Sequence, residues 1–324
     1  MKLFQRVRRN LLRSRPVTAG IAFSKATTFP GFKNKSLFEV FVATRSRILN
    51  EGLIERASAI SYNFAMAFPP AIIFLFTLIP YIPINKSFIN EIYGLIISIV
   101  PGPKNYTAII NFLNDFLTHP RNDLLSIGFL LSLFFSSNAI MGLMRAFDKN
   151  LPGFTKRKGF AKRLAALRIT LVLFLFFIVC IAVLAARVAV LKWLGIENNL
   201  VVSLIASLRW VLVIVLFFVI NSYLYRAVPS IEKKWKFINP GAVLSTVLMV
   251  LCVLGFSWWV GNFAAYNKLY GSISVIIILM VLIYLNSLVL LIGYELNVSI
   301  DALTKNNDLS PNRDVQRDEG VQPR

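Results

Sequence analysis

The stretch that decides the fold is YNKLYGSISVIIILMVLIYLNSLVLLIGYELN, residues 266–297. Residues 269–294 contain no charged side chain, and as a helix they would extend roughly 39 Å at about 1.5 Å per residue. Because the hydrocarbon core of a bilayer is about 30 Å thick, this stretch predicts a membrane-spanning helix. Asn286 lies within the apolar run and Glu295 directly follows it. Polar groups are costly at such positions, so both side chains are candidates for a functional role.

The composition of the whole chain is typical of an integral membrane protein. Of 324 residues, 56% are hydrophobic and 15% are charged, and the formal net charge is +20. Such a charge would favour nucleic acid in a soluble protein, but cations beside membrane spans follow the positive-inside rule, so no nucleic-acid partner is predicted. The chain has one histidine and two cysteines, and both cysteines lie within apolar runs. We therefore predict no metal site and no cofactor.

Hydropathy and charge predict an all-α membrane protein, a bundle of six transmembrane helices with both termini in the cytoplasm. The predicted spans are residues 57–84, 124–147, 164–191, 204–228, 240–265 and 271–297. Between the first two spans, two amphipathic helices separated by Pro101-Gly102-Pro103 would form a short external hairpin. On this topology the inner segments contain 25 lysines and arginines and the outer segments contain 5, which agrees with the positive-inside rule.

Two polar segments flank the predicted transmembrane domain, residues 57–300. Residues 1–56 carry twelve lysines and arginines, and residues 37–57 combine apolar residues at helical spacing with arginines. This pattern is typical of an interfacial helix on anionic headgroups at the cytoplasmic face; the alternative is a basic flank that only fixes topology. Residues 301–324 have little apolar content and are predicted to be a disordered tail.

Ionisable and amide side chains within the spans predict a polar cavity that opens to the cytoplasm. Glu295 would pair there with Arg145 or Arg168. In the alternative interpretation, the arginines extend to the inner headgroups, Glu295 is an interfacial charge and the amides join neighbouring helices by hydrogen bonds. The predicted substrate pathway consists of Tyr62, Asn63, Asn138, Arg145, Arg168, Asn221, Asn286 and Glu295.

Other features of the spans concern helix shape and contacts. Pro69 and Pro70 predict a kink in the first span, because each proline removes a backbone donor. Arg187 and Arg209, towards the outer ends of adjacent spans, are candidates for contact with a lipid phosphate or for simple extension to the headgroups.

Small residues in the fifth span and the lack of catalytic motifs support two further predictions. Gly241 and Ser245 form a small-xxx-small pair, which predicts that the fifth and sixth spans approach closely. The sequence has no phosphate-binding glycine loop, no zinc-type spacing and no nucleophile motif, so we expect no enzyme activity.

Three stretches of the predicted spans stand out together. They are the first span with Ala59, Tyr62, Ala67 and Pro69, the opening Pro240-Gly241-Ala242 of the fifth span, and YNKLYGSIS leading to GYELN in the sixth. With the matching hydropathy, they resemble the YihY/BrkB family of bacterial inner-membrane proteins over residues 37–300. The similarity is interrupted at residues 280–284, MVLIY, where a tryptophan is expected in the family.

The resemblance implies a six-helix, multi-pass protein of the bacterial inner membrane with no agreed activity or catalytic residues. Some members have carried a ribonuclease label, which the residues of this chain do not support. Members have also been connected with envelope integrity, serum resistance and lipid or lipopolysaccharide export. These connections imply a transporter or translocator of a lipid-like or anionic substrate. The alternative is a non-transporting scaffold that binds lipid headgroups or an envelope partner.

Overall fold

The computed structural model describes residues 22–78, 86–99, 103–118, 122–148, 153–155, 157, 159–193, 199–262 and 273–309. These residues are predominantly helical, and their extended structure is a β-bridge between two loops. The helices are α1 (Leu37–Asn50), α2 (Leu53–Leu78), α3 (Lys86–Ile99), α4 (Pro103–Thr118), α5 (Asn122–Phe147), α6 (Gly159–Trp193), α7 (Asn199–Ala227), α8 (Pro240–Asn262) and α9 (Ile273–Leu309).

Four helices contain segments that are long and apolar enough to cross a membrane, judged on the described residues. These segments are Ser126–Phe147, Gly159–Cys180, Pro240–Val260 and Ile276–Lys305, and α7 contains the shorter apolar segment Val213–Ala227. The all-helical membrane fold is therefore confirmed. The count of six spans and the cytoplasmic placement of both termini stay predictions.

The helix boundaries lie close to the predicted spans. Pro240 is the first residue of α8, where its fixed φ suits a helix start and its missing N–H has no cost. The two predicted amphipathic helices are α3 and α4, which pack against each other, and the Tyr93 hydroxyl donates to Asn114 Oδ1. Pro69 and Pro70 lie inside the continuous helix α2, and the predicted kink stays a prediction.

The predicted disordered tail is wrong for residues 301–309, which continue α9 to Leu309. Leu303 packs against a buried apolar cluster, and Asp301 forms an ion pair with Lys33. These contacts stabilise a polar segment whose composition alone suggested disorder. Residues 310–324 lie outside the described residues.

The chain divides into two compact units. The first unit consists of Met1–Leu53, Ile238–Leu244 and Leu291–Arg324. Its apolar cluster brings residues of α1 and α9 together with the loop before α1. The buried members are Phe32, Val40, Leu296 and Ile300, with Leu37, Leu244 and Leu303 packed against them.

Helix α1 confirms the helix predicted in the basic N-terminal segment. It begins with a capping box, in which the Ser36 hydroxyl accepts from the Glu39 N–H and the Glu39 carboxylate accepts from the Ser36 N–H, both at 3.2 Å. Gly52, with a φ of 58°, separates α1 from α2. The contact of α1 with lipid stays a prediction.

The second unit consists of Ile54–Phe237 and Ser245–Leu290. Within it, α5 packs against α6, and α6 packs against α7. Three phenylalanines join α2, α5 and α6: the ring centroid of Phe74 lies 5.2 Å from that of Phe129 and 5.7 Å from that of Phe174. Aromatic contacts of this kind fix the packing of helices whose surfaces are otherwise uniformly apolar.

In the first unit, α8 and α9 approach each other closely at Gly241, as the small-residue pattern predicted. A Cβ at this position would overlap the carbonyl oxygen of Gly293 and lie 2.5 Å from Asn297 Nδ2. Gly241 is therefore required by the helix crossing, because any larger residue would push the two backbones apart.

We predict that Gly241→Ala destabilises the protein by about 1–3 kcal/mol, the usual cost of overpacking. Gly255→Ala is the matched control on the same helix, because a Cβ there meets no atom within 4 Å. Thermal unfolding in detergent measures both variants. Equal midpoints for the two variants would show that the close approach at Gly241 is not a packing constraint.

Candidate functional site

The two basic loops predicted to face the cytoplasm lie at the same end of the second unit. A β-bridge joins Phe154 to Ile231, and the Thr155 N–H donates to the Ser230 carbonyl oxygen at 2.8 Å. The loop between α5 and α6 is thus held to the loop after α7. Two loops joined in this way must lie on the same side of a membrane.

The most distinctive charged group at this end is Arg163, in the first turns of α6. Its Nη1 donates to Asn138 Oδ1 on α5 and lies 3.9 Å from the Met141 sulfur. Its guanidinium carbon lies 4.7 Å from the centroid of the Phe134 ring, which is a cation–π geometry. We call Arg163, Phe134, Asn138 and Met141 the Arg163 cluster.

Neighbouring cations at this end have different partners. Lys162 Nζ pairs with Asp148 at 3.0 Å, and Arg56 donates to the Ala146 carbonyl oxygen near the end of α5. Arg157 donates to the Ala227 carbonyl oxygen at 3.4 Å, at the negative end of the α7 dipole. Arg56 and Arg157 thus bind carbonyl oxygens near the ends of helices, and Lys162 pairs with a carboxylate.

A fully buried tyrosine connects the other helices of the second unit. The Tyr225 hydroxyl on α7 donates to the Leu290 carbonyl oxygen of α9 at 2.7 Å and shares a hydrogen bond with the Ser245 hydroxyl of α8. One turn earlier on α7, Asn221 Nδ2 donates to the Thr246 hydroxyl of α8 at 3.2 Å. Hydrogen bonds between helices in a membrane average about 0.6 kcal/mol and reach about 1.7 kcal/mol.

Three buried oxygen atoms of the second unit have no hydrogen-bond partner among the described residues. They are Ser132 Oγ on α5, Ser222 Oγ on α7 and Asn286 Oδ1 on α9. Asn286 does use its Nδ2, which donates to the Leu282 carbonyl oxygen at 2.8 Å within the same helix. Buried polar atoms without a protein partner are natural contacts for water or for a polar group of a ligand.

In the first unit, two asparagines complete the first turn of α8. Asn239 Oδ1 accepts from the Ala242 N–H at 2.9 Å, and Asn297 Oδ1 accepts from the Gly241 N–H at 2.9 Å. The two side chains also contact each other, since Asn297 Nδ2 donates to Asn239 Oδ1 at 2.7 Å. This network joins the PGA opening of α8 to the GYELN end of α9.

The residues predicted to line a pathway have different environments. Asn63 packs against Gly142 and donates to the Ala59 carbonyl oxygen at 2.6 Å, while Asn138 accepts from Arg163. Asn221 is buried between α7 and α8, as described above. The exposed members are Tyr62, Arg145 and Arg168. Asn138 and Asn221 thus contact a neighbouring helix, while Asn63 bonds within its own helix, and the substrate pathway stays a prediction.

Glu295 is fully buried in the first unit, with an exposed fraction of 0%. Arg145 and Arg168 belong to the second unit, so the predicted pairing with Glu295 stays a prediction. The side chains of Arg187 and Arg209 lie outside the described part of the chain, as do residues 263–272, which include most of YNKLYGSIS.

The sequence analysis missed Arg163 and Tyr225 as candidates. Arg163 falls in the inner segment between the predicted spans 124–147 and 164–191, although in the structure it lies four residues after Gly159, the first residue of α6. Tyr225 follows Asn221 by one turn, and this polar pair on one helix face was a usable signal.

The fold and these polar networks define a multi-pass, all-helical membrane protein with a basic end. The chain belongs to the virulence factor BrkB family, whose sequence profile matches residues 44–318. This match confirms the resemblance seen in the sequence.

Individual relatives agree with the family assignment. The chain is 26% identical over 267 residues to a Bacillus subtilis protein described as ribonuclease-like, YfkH; the match covers 81% of this chain and 95% of that protein. It is also 26% identical over 261 residues to a UPF0761 membrane protein of Stenotrophomonas maltophilia, covering 79% of this chain but 59% of the relative. No solved structure matches the chain significantly.

We predict that Tyr225→Phe lowers the unfolding free energy by about 1 kcal/mol, because the hydrogen bonds to Leu290 and Ser245 are lost in a fully buried site. Tyr223→Phe is the matched control two residues away, since the Tyr223 ring packs edge-on against Phe176 and that contact survives the change. Reversible unfolding in mixed detergent measures both. Equal stabilities would contradict the role assigned to Tyr225.

Proposed function

We propose that this protein is a translocator of a lipid-like or anionic substrate across the bacterial inner membrane. The observation that supports the proposal most directly is the set of buried oxygen atoms of Ser132, Ser222 and Asn286 that lack a partner among the described residues. A helix bundle that only crosses the membrane or anchors another protein gains nothing from such atoms, because each polar group without a hydrogen bond costs free energy in hydrocarbon. Water or substrate headgroups passing through the second unit would satisfy them.

The proposal includes six spans with both termini in the cytoplasm. The β-bridge between the loops before α6 and after α7 supports this topology, because it requires the two basic loops to share one side. The positive-inside rule then makes that side cytoplasmic.

The proposed activity is transport and not catalysis. Within the described ranges there is no group of three or more His, Cys, Asp or Glu side chains that could hold a metal ion. The ribonuclease-like description belongs to the Bacillus relative, and no catalytic motif in this chain motivates its transfer.

The test measures lipid translocation in proteoliposomes, with headgroup-labelled phospholipid and a membrane-impermeant quencher. We expect wild type to expose the label of the inner leaflet and Glu295→Gln to do so at least about tenfold more slowly, because the variant removes a buried carboxyl group from α9. Glu55→Gln is the control, the same chemical change at an exposed position near the start of α2.

Abundance and thermal midpoint are measured for all three proteins. Loss of folded Glu295→Gln would assign Glu295 a structural role instead. Wild-type liposomes that match empty ones would contradict passive translocation of phospholipid.

A second candidate, a lipid-binding scaffold, is favoured by the outer face of α1. Phe41 and Leu49, eight residues apart on one face, are 64% and 69% exposed, and Arg45 between them is exposed as well. Large apolar side chains flanking an arginine are suited to the boundary between headgroups and acyl chains.

The scaffold function predicts that Phe41→Gln with Leu49→Gln abolishes complementation of a deletion strain, scored as detergent sensitivity. Phe160→Gln with Leu164→Gln is the control, since both residues are exposed on the first turns of α6. Under the transport function, the α1 variant keeps its translocation rate and complements normally. Failure to complement with normal translocation would therefore favour the scaffold.

A further inference from the structure

We infer that the Arg163 cluster is a binding subsite for a phosphate group, such as the headgroup phosphate of an anionic amphiphile. This inference rests on the proposed transport function and specifies the chemistry of its substrate. It starts from the partners of Arg163, which are an amide oxygen, a thioether sulfur and an aromatic ring. None of these groups carries a negative charge.

The charge of the Arg163 guanidinium is therefore not compensated by any of these partners. Within the ranges that the structure describes, no carboxylate forms an ion pair with it, while the adjacent Lys162 is paired with Asp148. Both cations lie in the first turns of α6, so their different partners reflect local geometry and not a general excess of cations. A partly buried cation without a counterion attracts an anion strongly, because solvent screens it weakly.

Arg163 also has hydrogen-bond donors left for a ligand. Its side-chain contacts with Asn138 Oδ1 and the Met141 sulfur are both made by Nη1. Nε–H and the two N–H groups of Nη2 make no hydrogen bond with the described residues. These donors form the planar fork that binds two oxygen atoms of a phosphate or a carboxylate in parallel.

The position of the cluster suits a lipid headgroup. Asn138 lies nine residues before the end of α5, which is about 13 Å along the helix axis from the end that carries the basic loop. Asn138 lies within the apolar segment Ser126–Phe147, so a phosphate bound here would lie beside apolar helix surface that can contact the chains of an amphiphile. The Phe134 ring, 52% exposed, supplies an apolar surface beside the cation for an acyl chain.

The cluster is also preorganised. Asn138 and Phe134 hold the guanidinium from two directions, so phosphate binding does not have to order a free arginine side chain. Ordering such a side chain costs about 0.5–1.5 kcal/mol in a typical interface. An arginine that only extended to the headgroups would have no need of either contact.

Binding is tested on the full-length protein in nanodiscs of zwitterionic phosphatidylcholine, by calorimetric titration. The probes are inorganic phosphate, dihexanoyl phosphatidic acid and hexanoate. We expect saturable binding of a phosphate probe and at least about tenfold weaker binding of hexanoate. If phosphatidic acid binds and inorganic phosphate does not, the ligand of the subsite is a lipid headgroup. If inorganic phosphate binds with equal affinity, the ligand is free phosphate.

Arg163→Gln should weaken phosphate binding about tenfold or more, which is the expected loss of charge-assisted hydrogen bonds. Arg226→Gln is the matched control, the same change of charge at an exposed arginine near the end of α7, and should bind as wild type does.

Asn138→Asp keeps the protein testable if Arg163→Gln fails to fold. The new carboxylate is isosteric with the amide and gives Arg163 a counterion, so binding should fall at least about tenfold while the thermal midpoint is kept or raised. Wild-type affinity in Asn138→Asp would overturn the subsite. So would hexanoate affinity equal to that of the phosphate probes, or the absence of binding by either phosphate probe.

The titration involves no translocation, which separates this inference from the proposed function. Binding that depends on Arg163 in a protein that moves no lipid would retain the subsite and contradict transport. If Arg163→Gln does not change translocation and the protein binds no phosphate, the transport function is retained and the subsite is contradicted.

Discussion

The hydrogen bonds of Tyr225 are the constraint on which the arrangement of the second unit depends. Its hydroxyl joins α7 to α8 through Ser245 and to α9 through Leu290, and its ring lies 6.0 Å from that of Phe147 at the end of α5. Lipid tails are as apolar as leucine, so apolar surface alone gives helices little reason to prefer one contact over another. The two hydrogen bonds of the buried Tyr225 hydroxyl favour one rotation and one register of α7 against α8 and α9, because both are lost if a helix turns or slides.

The same reasoning explains the first unit, where a glycine and two amides take the place of the tyrosine. Gly241 lets α8 contact the backbone of α9 at Gly293, and Asn239 and Asn297 satisfy the N–H groups that a helix start leaves open. Gly241 and Asn297 are 56 positions apart in sequence, yet both belong to stretches that carry the family resemblance. Their contact gives a structural reason for that pairing of motifs.

Hydropathy predicted the helices well because burial in lipid is a local property of each segment. Hydropathy alone could not predict their partners, since α7 and α8 are strongly apolar and hydropathy distinguishes no face on either helix. The faces are marked by a few residues only, Asn221 and Tyr225 on α7 and Gly241 and Ser245 on α8. The same limit explains the tail, where Leu303 finds an apolar cluster built mainly from residues far away in sequence. The candidate polar residues were visible in the sequence, but the selection of Arg163 needed the contacts of α5.

The cations at the basic end show why counting charges predicts topology without predicting function. The positive-inside rule treats Arg157, Lys162 and Arg163 as equivalent. Their partners separate them: carbonyl oxygens at the negative end of the α7 dipole for Arg157, a carboxylate for Lys162, and an amide, a thioether and an aromatic ring for Arg163. The carboxylate compensates the charge of Lys162 and the helix dipole compensates that of Arg157 in part, whereas the partners of Arg163 orient its guanidinium without supplying a counterion. Under the proposed function, the partners of each cation decide what it can bind, and the neutral partners of Arg163 leave its guanidinium to a phosphate.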